Sequence, residues 1–123
     1  MQFDFSLAEL ERYQPAEAAP ADFGAFWDAT LEETRAFPLN AHFEPVQTLL
    51  RSVAVYDLSF SGYAGTTIRG WRLLPAGTRA PLPCVVEYLG YGGGRGLPTD
   101  WLLWPSAGYA CVVMDTRGQG SAW

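Results

Sequence analysis

Two short apolar segments, each followed directly by a glycine-rich loop, constrain the fold of this chain more than any other feature. The first covers residues 84–89 and precedes GYGGGRG at 90–96; the second covers residues 110–114 and precedes DTRGQG at 115–120. Nearly continuous apolar runs of this length are typical of strands buried on both faces of a parallel sheet. The roughly twenty residues between them suit a crossover helix, so we predict a right-handed βαβ unit.

The position of the two loops indicates where a functional site would lie. In parallel sheets, ligands bind beyond the carboxyl ends of the strands, and both loops follow such an end. We therefore expect any site to be formed by residues 90–96 and 116–120.

The N-terminal third has the pattern of two helices. Ser6 and Glu9 form a capping-box sequence, which predicts a short helix over about residues 7–13. Asp22 is positioned to cap a longer helix that reaches about residue 37. One stripe of this second helix carries its large apolar residues together with two threonines, and we interpret it as a docking face: Phe23, Phe26, Trp27, Thr30, Leu31 and Thr34.

The middle of the chain changes to the period-two pattern of strands. Residues 38–45, which include His42, the only histidine, are expected to be irregular. Alternation from residue 53 and an apolar return at 68–74 predict an antiparallel hairpin. The predicted fold class is therefore α/β: two N-terminal helices, an antiparallel hairpin and then a parallel βαβ unit.

Composition excludes several classes of function. The 123 residues are 49% hydrophobic, enough for one core, and the net charge of -5 includes no lysine, so we expect no nucleic-acid partner. The chain shows neither a secretion signal nor a membrane-spanning run, which predicts a cytoplasmic protein with no membrane partner. Cys84 and Cys111 lie in the apolar strands and are expected to be buried structural thiols rather than a disulfide.

The glycine loop at 90–96 does not fit a nucleotide-binding motif. Arg95 occupies the third glycine position of the dinucleotide pattern, and a Walker loop needs a lysine. Free amides at a strand end can instead bind an anion, as an oxyanion hole does during acyl transfer. From the loop alone, this function and a simple steric turn are equally supported.

The same residues carry a family resemblance. GYGGGRG at 90–96, WLLWPSAGYA at 101–110, MDTRGQG at 114–120 and APADFGAFW at 19–27 resemble the acetyl xylan esterase / cephalosporin-C deacetylase family of α/β-hydrolases. The similarity covers essentially the whole chain. Many members carry a histidine where this chain has Leu89.

The resemblance implies serine esterase chemistry without a cofactor or metal, acting on small acetylated esters or xylo-oligosaccharides. By the same resemblance, the backbone amide of Tyr91 belongs to the oxyanion hole, and Gly90, Tyr91 and Gly92 meet the substrate. Arg117, Gly118 and Gln119 are implied to support the site. For Arg117 the resemblance favours support through a salt bridge, and the alternative is an arginine that closes the strand-end loop by hydrogen bonds to carbonyls. A homo-oligomer is expected for the full-length parent.

The catalytic serine itself has no match. No Gly-x-Ser-x-Gly occurs, and Ser121 lacks the glycine spacing of a nucleophile elbow. We therefore expect residues 1–123 to be one incomplete hydrolase domain, with a helical extension at 1–44 and the first strands and oxyanion loop at 45–123. Alone it should be inactive. An α/β-hydrolase peptidase and a non-catalytic binding module stay open as alternatives.

Overall fold

The computed structural model describes residues 4–120, which form two compact units, one up to Leu31 and one from Glu32 onward. In the first unit, helix α1 is Leu7–Leu10, shorter than predicted. The Glu9 carboxylate accepts hydrogen bonds from the Ser6 hydroxyl at 2.6 Å and the Ser6 N–H at 2.8 Å, which confirms the predicted capping interaction. These two bonds lower the pKa of Glu9.

Helix α2, Phe23–Arg35, ends two residues before the predicted position. Its large apolar side chains stay between 43% and 58% exposed: Phe23, Phe26, Trp27 and Leu31. A docking role for this stripe stays a prediction. Within residues 4–120, no helix has the length and apolar character needed to cross a membrane.

The second unit is built on a mixed sheet with five strands among the described residues. The strands are β1 (His42–Val46), β2 (Val53–Ser61), β3 (Thr67–Pro75), β4 (Cys84–Tyr88) and β5 (Ala110–Met114). They lie in the order β1-β2-β3-β5-β4. Neighbouring strands run antiparallel except β4 and β5, which are parallel. The predicted hairpin and the predicted parallel pair are therefore both confirmed.

Strand β1 corrects the prediction of an irregular segment. Residues from His42 to Val46 pair with β2, and Pro45 lies opposite Tyr56. Proline is accepted there because β1 is at the edge of the described sheet, where one side of the strand needs no ladder hydrogen bond. The strands thus begin before residue 45.

The crossover between β4 and β5 also differs from the predicted helix. It contains a one-turn 3₁₀ helix, Pro98–Trp101, and a four-residue helix α3, Leu103–Ser106. The glycine loop takes the first part of this connection, and Pro98 and Pro105 restrict helix growth in the rest. Trp104 donates from Nε1 to Glu87 on β4 at 2.7 Å, so the crossover packs on one face of the sheet.

The core lies on that covered face. Val53, Val55, Leu73 and Cys111 form its buried cluster, and partly buried tryptophans of β3 and the crossover pack against it. Burial raises the pKa of the Cys111 thiol to about 11.

Burial on both faces was wrongly predicted for the first apolar segment. Val86 and Tyr88 are 46% and 77% exposed, and Cys84 is exposed as well. Strand β4 is at the edge of the described sheet, and its second face has little cover there. An apolar run therefore marks the strand without showing how much of it is covered.

Candidate active site

The two glycine-rich loops meet at the carboxyl ends of β4 and β5, as the sequence predicts, and border an open cleft. The cleft has a volume of about 870 Å³, within the range of about 300–1,000 Å³ found for small-molecule sites. Its lining comes from β2, β3 and the residue before it, and both loops: Asp57, Thr66, Thr67, Ile68, Arg69, Tyr91, Gly92, Arg95, Asp115, Thr116, Arg117, Gly118, Gln119 and Gly120.

Two glycines allow the loops to touch. A Cβ added at Gly94 would lie 2.2 Å from Gly120 Cα, and one added at Gly120 would lie 2.2 Å from Asp115 Oδ1. Gly120 also has a φ of 101°, which side chains disfavour. Thr116 Oγ1 donates to the carbonyl of Leu89 at 3.3 Å, which links the two strand ends. The glycines thus serve close backbone approach.

Of the predicted site residues, Tyr91 and Gly92 line the cleft on the first loop. The Tyr91 side chain is fully exposed. Its backbone N–H forms no hydrogen bond with any residue among 4–120, whereas the Gly92 N–H donates to Gln119 Oε1. Gly90 does not line the cleft, and its carbonyl accepts from the Gly93 N–H at 3.1 Å. In the cleft-lining part of this loop, the Tyr91 amide, which has no partner among residues 4–120, therefore precedes the Gly92 amide, which Gln119 holds.

Arg117 and its neighbours line the cleft from the second loop. The Arg117 guanidinium lies 4.7 Å from the centroid of the Tyr63 ring. Tyr63 donates from its hydroxyl to Glu33 at 2.7 Å, and this hydrogen bond raises the pKa of the phenol. No ion pair of Arg117 occurs within residues 4–120, so its described contact is with an aromatic ring rather than a carboxylate.

Sequence reasoning missed Arg95 and Asp115, the two charged residues of the site that are buried. The Arg95 side chain donates from Nη1 to Asp57 Oδ1 at 2.7 Å, and the Arg95 N–H donates to Asp115 Oδ1 at 2.6 Å. Two sequence signals were available: Arg95 is the only charge in a loop of glycines, and Asp115 directly ends a buried strand. Because buried charges are usually paired, an oppositely charged partner is expected for each of these two residues.

The cleft carries a small positive charge in an acidic protein. Three arginines and two aspartates line it, against a net charge of -5 for the chain. Arg69 Nη1 lies 3.7 Å from Asp57 Oδ1, farther than Arg95, and its side chain is 54% exposed. Arg69 is therefore the less neutralised of the two cations beside Asp57.

The one histidine does not line this cleft. His42 is exposed at the start of β1 and is not part of the described lining. Ser121 lies outside the described residues. Within residues 4–120, no three His, Cys, Asp or Glu side chains are grouped closely enough to hold a metal ion.

Comparison with known proteins gives a consistent result. The family profile described as Acetyl xylan esterase (AXE1) matches residues 1–122. The acetyl xylan esterase from Paenibacillus sp. R4 is similar at 39% identity over 96% of this chain, with a TM-score of 0.87. Acetyl xylan esterase 1 from Thermoanaerobacterium sp. JW/SL YS485 is similar at 30% identity over 98% of this chain, with a TM-score of 0.85.

The chain spans 38% of the length of each of these two solved structures. The shared part contains both glycine-rich loops and the sheet that carries them. By its sequence match and its fold, this chain belongs to the acetyl xylan esterase family.

Proposed function

We propose that these residues are the N-terminal portion of a serine carboxylic ester hydrolase. The complete enzyme, meaning a full-length chain that contains them, removes acetyl groups from acetylated xylo-oligosaccharides or cephalosporin-type small esters. In this proposal its catalytic serine, histidine and aspartate lie outside residues 1–123. The proposal includes the sequence-based expectations that the enzyme needs no cofactor, works in the cytoplasm and forms homo-oligomers.

The observation that carries this proposal is the backbone amide of Tyr91, a residue that lines the cleft and whose N–H has no hydrogen-bond partner among residues 4–120. Ester hydrolysis passes through a tetrahedral intermediate whose carbonyl oxygen carries a negative charge. Donors that are already in place where this charge develops lower the barrier without reorganisation. The Tyr91 N–H has no partner among the described residues, while Gln119 holds the neighbouring Gly92 amide. In this proposal, Tyr91 supplies one oxyanion donor and Gln119 fixes the loop that presents it.

Serine esterase chemistry also requires a base beside the nucleophile. A serine hydroxyl needs a positioned base to become a nucleophile at neutral pH. The one histidine is not part of the cleft lining. In this proposal the 123-residue chain alone therefore has no turnover.

The test compares the complete enzyme with the 123-residue chain. We expect hydrolysis of p-nitrophenyl acetate and release of acetate from acetylated xylo-oligosaccharide or cephalosporin C by the complete enzyme, and no turnover by the short chain. An aminoacyl p-nitroanilide provides the peptidase control. Turnover of the anilide without acetyl ester hydrolysis would replace the esterase proposal with the peptidase alternative, and no turnover of any substrate would favour a binding module.

A further inference from the structure

We propose that Arg95 is a positioning residue for the Tyr91 amide, because its buried side chain fixes the glycine-rich loop on the sheet. This role rests on the proposed function, in which that amide stabilises the oxyanion. Arg95 itself does not touch the reacting atoms in this proposal; it acts through the backbone of the loop.

Four groups surround the side chain of Arg95. Arg95 is only 8% exposed, and its Nη1 donates both to Asp57 Oδ1 at 2.7 Å and to the Gly70 carbonyl at 2.6 Å. The guanidinium carbon lies 3.8 Å from the centroid of the Trp71 ring. Its Nε lies 3.9 Å from Asp115 Oδ2. A charge this enclosed has a defined position, because moving away from these groups would leave a buried charge without its partners.

The backbone of the same residue is held as well. Asp115 Oδ1 accepts from the Arg95 N–H at 2.6 Å, and the Arg95 carbonyl accepts from Trp101 Nε1 at 2.6 Å. The next carbonyl, of Gly96, accepts from Trp71 Nε1 at 3.0 Å. Arg95 is thus the point at which the loop is attached to β2, β3, the end of β5 and the crossover.

The attachment at Arg95 affects the position of Tyr91 because a flexible segment joins the two residues. Gly92, Gly93 and Gly94 connect the two residues, and three consecutive glycines have wide backbone freedom. Gln119 holds the near end of this segment through the Gly92 N–H, and Arg95 holds the far end. Loss of either anchor allows the Tyr91 amide to move away from the oxyanion.

Lysine cannot replace this arginine. One planar guanidinium both stacks on Trp71 and donates twice from Nη1, whereas an ammonium has no flat face. Arg95→Lys therefore keeps the positive charge and loses the stacking and the paired hydrogen bonds of the guanidinium. This variant distinguishes a positioning role of Arg95 from a role in which only its charge matters.

The experiment measures kcat, KM and loop exchange for Arg95→Lys in the complete enzyme, with the exposed Arg79→Lys as the matched control. We expect kcat for p-nitrophenyl acetate to fall about tenfold or more with KM nearly unchanged, since a misplacement of about 1 Å can cost about a hundredfold in rate. Amide hydrogen exchange over residues 90–96 should accelerate by about tenfold. Added guanidinium should restore part of kcat to Arg95→Ala, and Arg79→Lys should match the unchanged enzyme.

A milder variant guards against loss of the fold. Trp71→Phe keeps an aromatic ring beneath the guanidinium, while it removes the N–H bonded to the Gly96 carbonyl together with the five-membered ring of the indole, which belongs to a side chain packed against the core. We expect a smaller fall in kcat with the same faster exchange.

The inference is overturned if Arg95→Lys keeps kcat within about twofold of the control, or if it lowers the melting temperature while loop exchange stays unchanged. If the unchanged enzyme hydrolyses no acetyl ester, the proposed function fails instead, and the exchange data still report whether Arg95 holds the loop.

Discussion

A single added methyl group at Gly94 should separate the two loops, and Gly90 in the same loop offers a matched control. A Cβ at Gly94 would lie 2.2 Å from Gly120 Cα, whereas a Cβ at Gly90 would have no atom within 4 Å. Neither glycine has a φ in the left-handed region. Alanine therefore suits the backbone at both positions, and the two substitutions differ in the space available.

The magnitude follows from the distances. Carbon atoms pack at about 3.5–4.0 Å, so Gly94→Ala must move the loops apart by roughly 1.3 Å or more. Overpacking of this kind costs about 1–3 kcal/mol. The movement also strains the 2.6 Å hydrogen bond from the Arg95 N–H to the Asp115 carboxylate, and a bond to a charged group contributes about 1.5–3 kcal/mol. We expect Gly94→Ala to lower the free energy of unfolding by about 2–5 kcal/mol.

Gly90→Ala should be neutral or should stabilise by up to about 1 kcal/mol, because alanine restricts the unfolded chain. The assay is urea unfolding followed by tryptophan fluorescence, with all proteins at one concentration. Gly94→Ala should shift the midpoint down by about 0.7 M or more, given a typical urea dependence of about 1–3 kcal/mol per M. Equal midpoints for the two variants would refute the close packing of the loops.

Three further predictions concern the sheet. At pH 8 one thiol of the folded 123-residue chain, the exposed Cys84, should react rapidly with Ellman's reagent. Cys111 should react slowly, because it is fully buried with a pKa of about 11 and only about one in a thousand such thiols is ionised at this pH. Rapid reaction of both thiols would contradict the burial of Cys111 in the core. Because that folded pKa exceeds the ordinary value of 9.0, the free energy of unfolding should also fall as pH rises from about 9 to 11. The exposed apolar side chains of β4 should make the 123-residue chain self-associate, and Val86→Lys should reduce this in sedimentation velocity; a monomer without the substitution would contradict it.

The sequence predicted the parts of the fold that depend on local pattern. The hairpin and the parallel pair follow from period-two alternation and short apolar runs, and both are present. Strand β1 was missed because Pro45 argues against a strand unless its edge position is known. The exposure of Cys84 was missed for a related reason, since burial depends on what covers a strand and not on the strand's own composition.

The sequence predicted the location of the site but not the ion pair that stabilises it. Glycine loops at the ends of adjacent parallel strands must meet, so the location of the cleft followed from the pattern. The pairing of Arg95 with Asp57 did not, because the two residues are 38 positions apart and only the folded sheet brings them together. Long-range ion pairs of this kind leave no periodic signal in one sequence.

The central claim is that the backbone amide of Tyr91 stabilises the oxyanion in the complete enzyme. Proline at this position deletes the N–H, and phenylalanine keeps it while removing only the hydroxyl.

The most direct measurement is kcat for p-nitrophenyl acetate in Tyr91→Pro and Tyr91→Phe, with circular dichroism to confirm that both are folded. Loss of one oxyanion donor typically costs about a hundredfold to a thousandfold in kcat. We predict a fall of about a hundredfold or more for Tyr91→Pro and a change within about twofold for Tyr91→Phe. A folded Tyr91→Pro enzyme with the kcat of the unchanged protein would contradict the account.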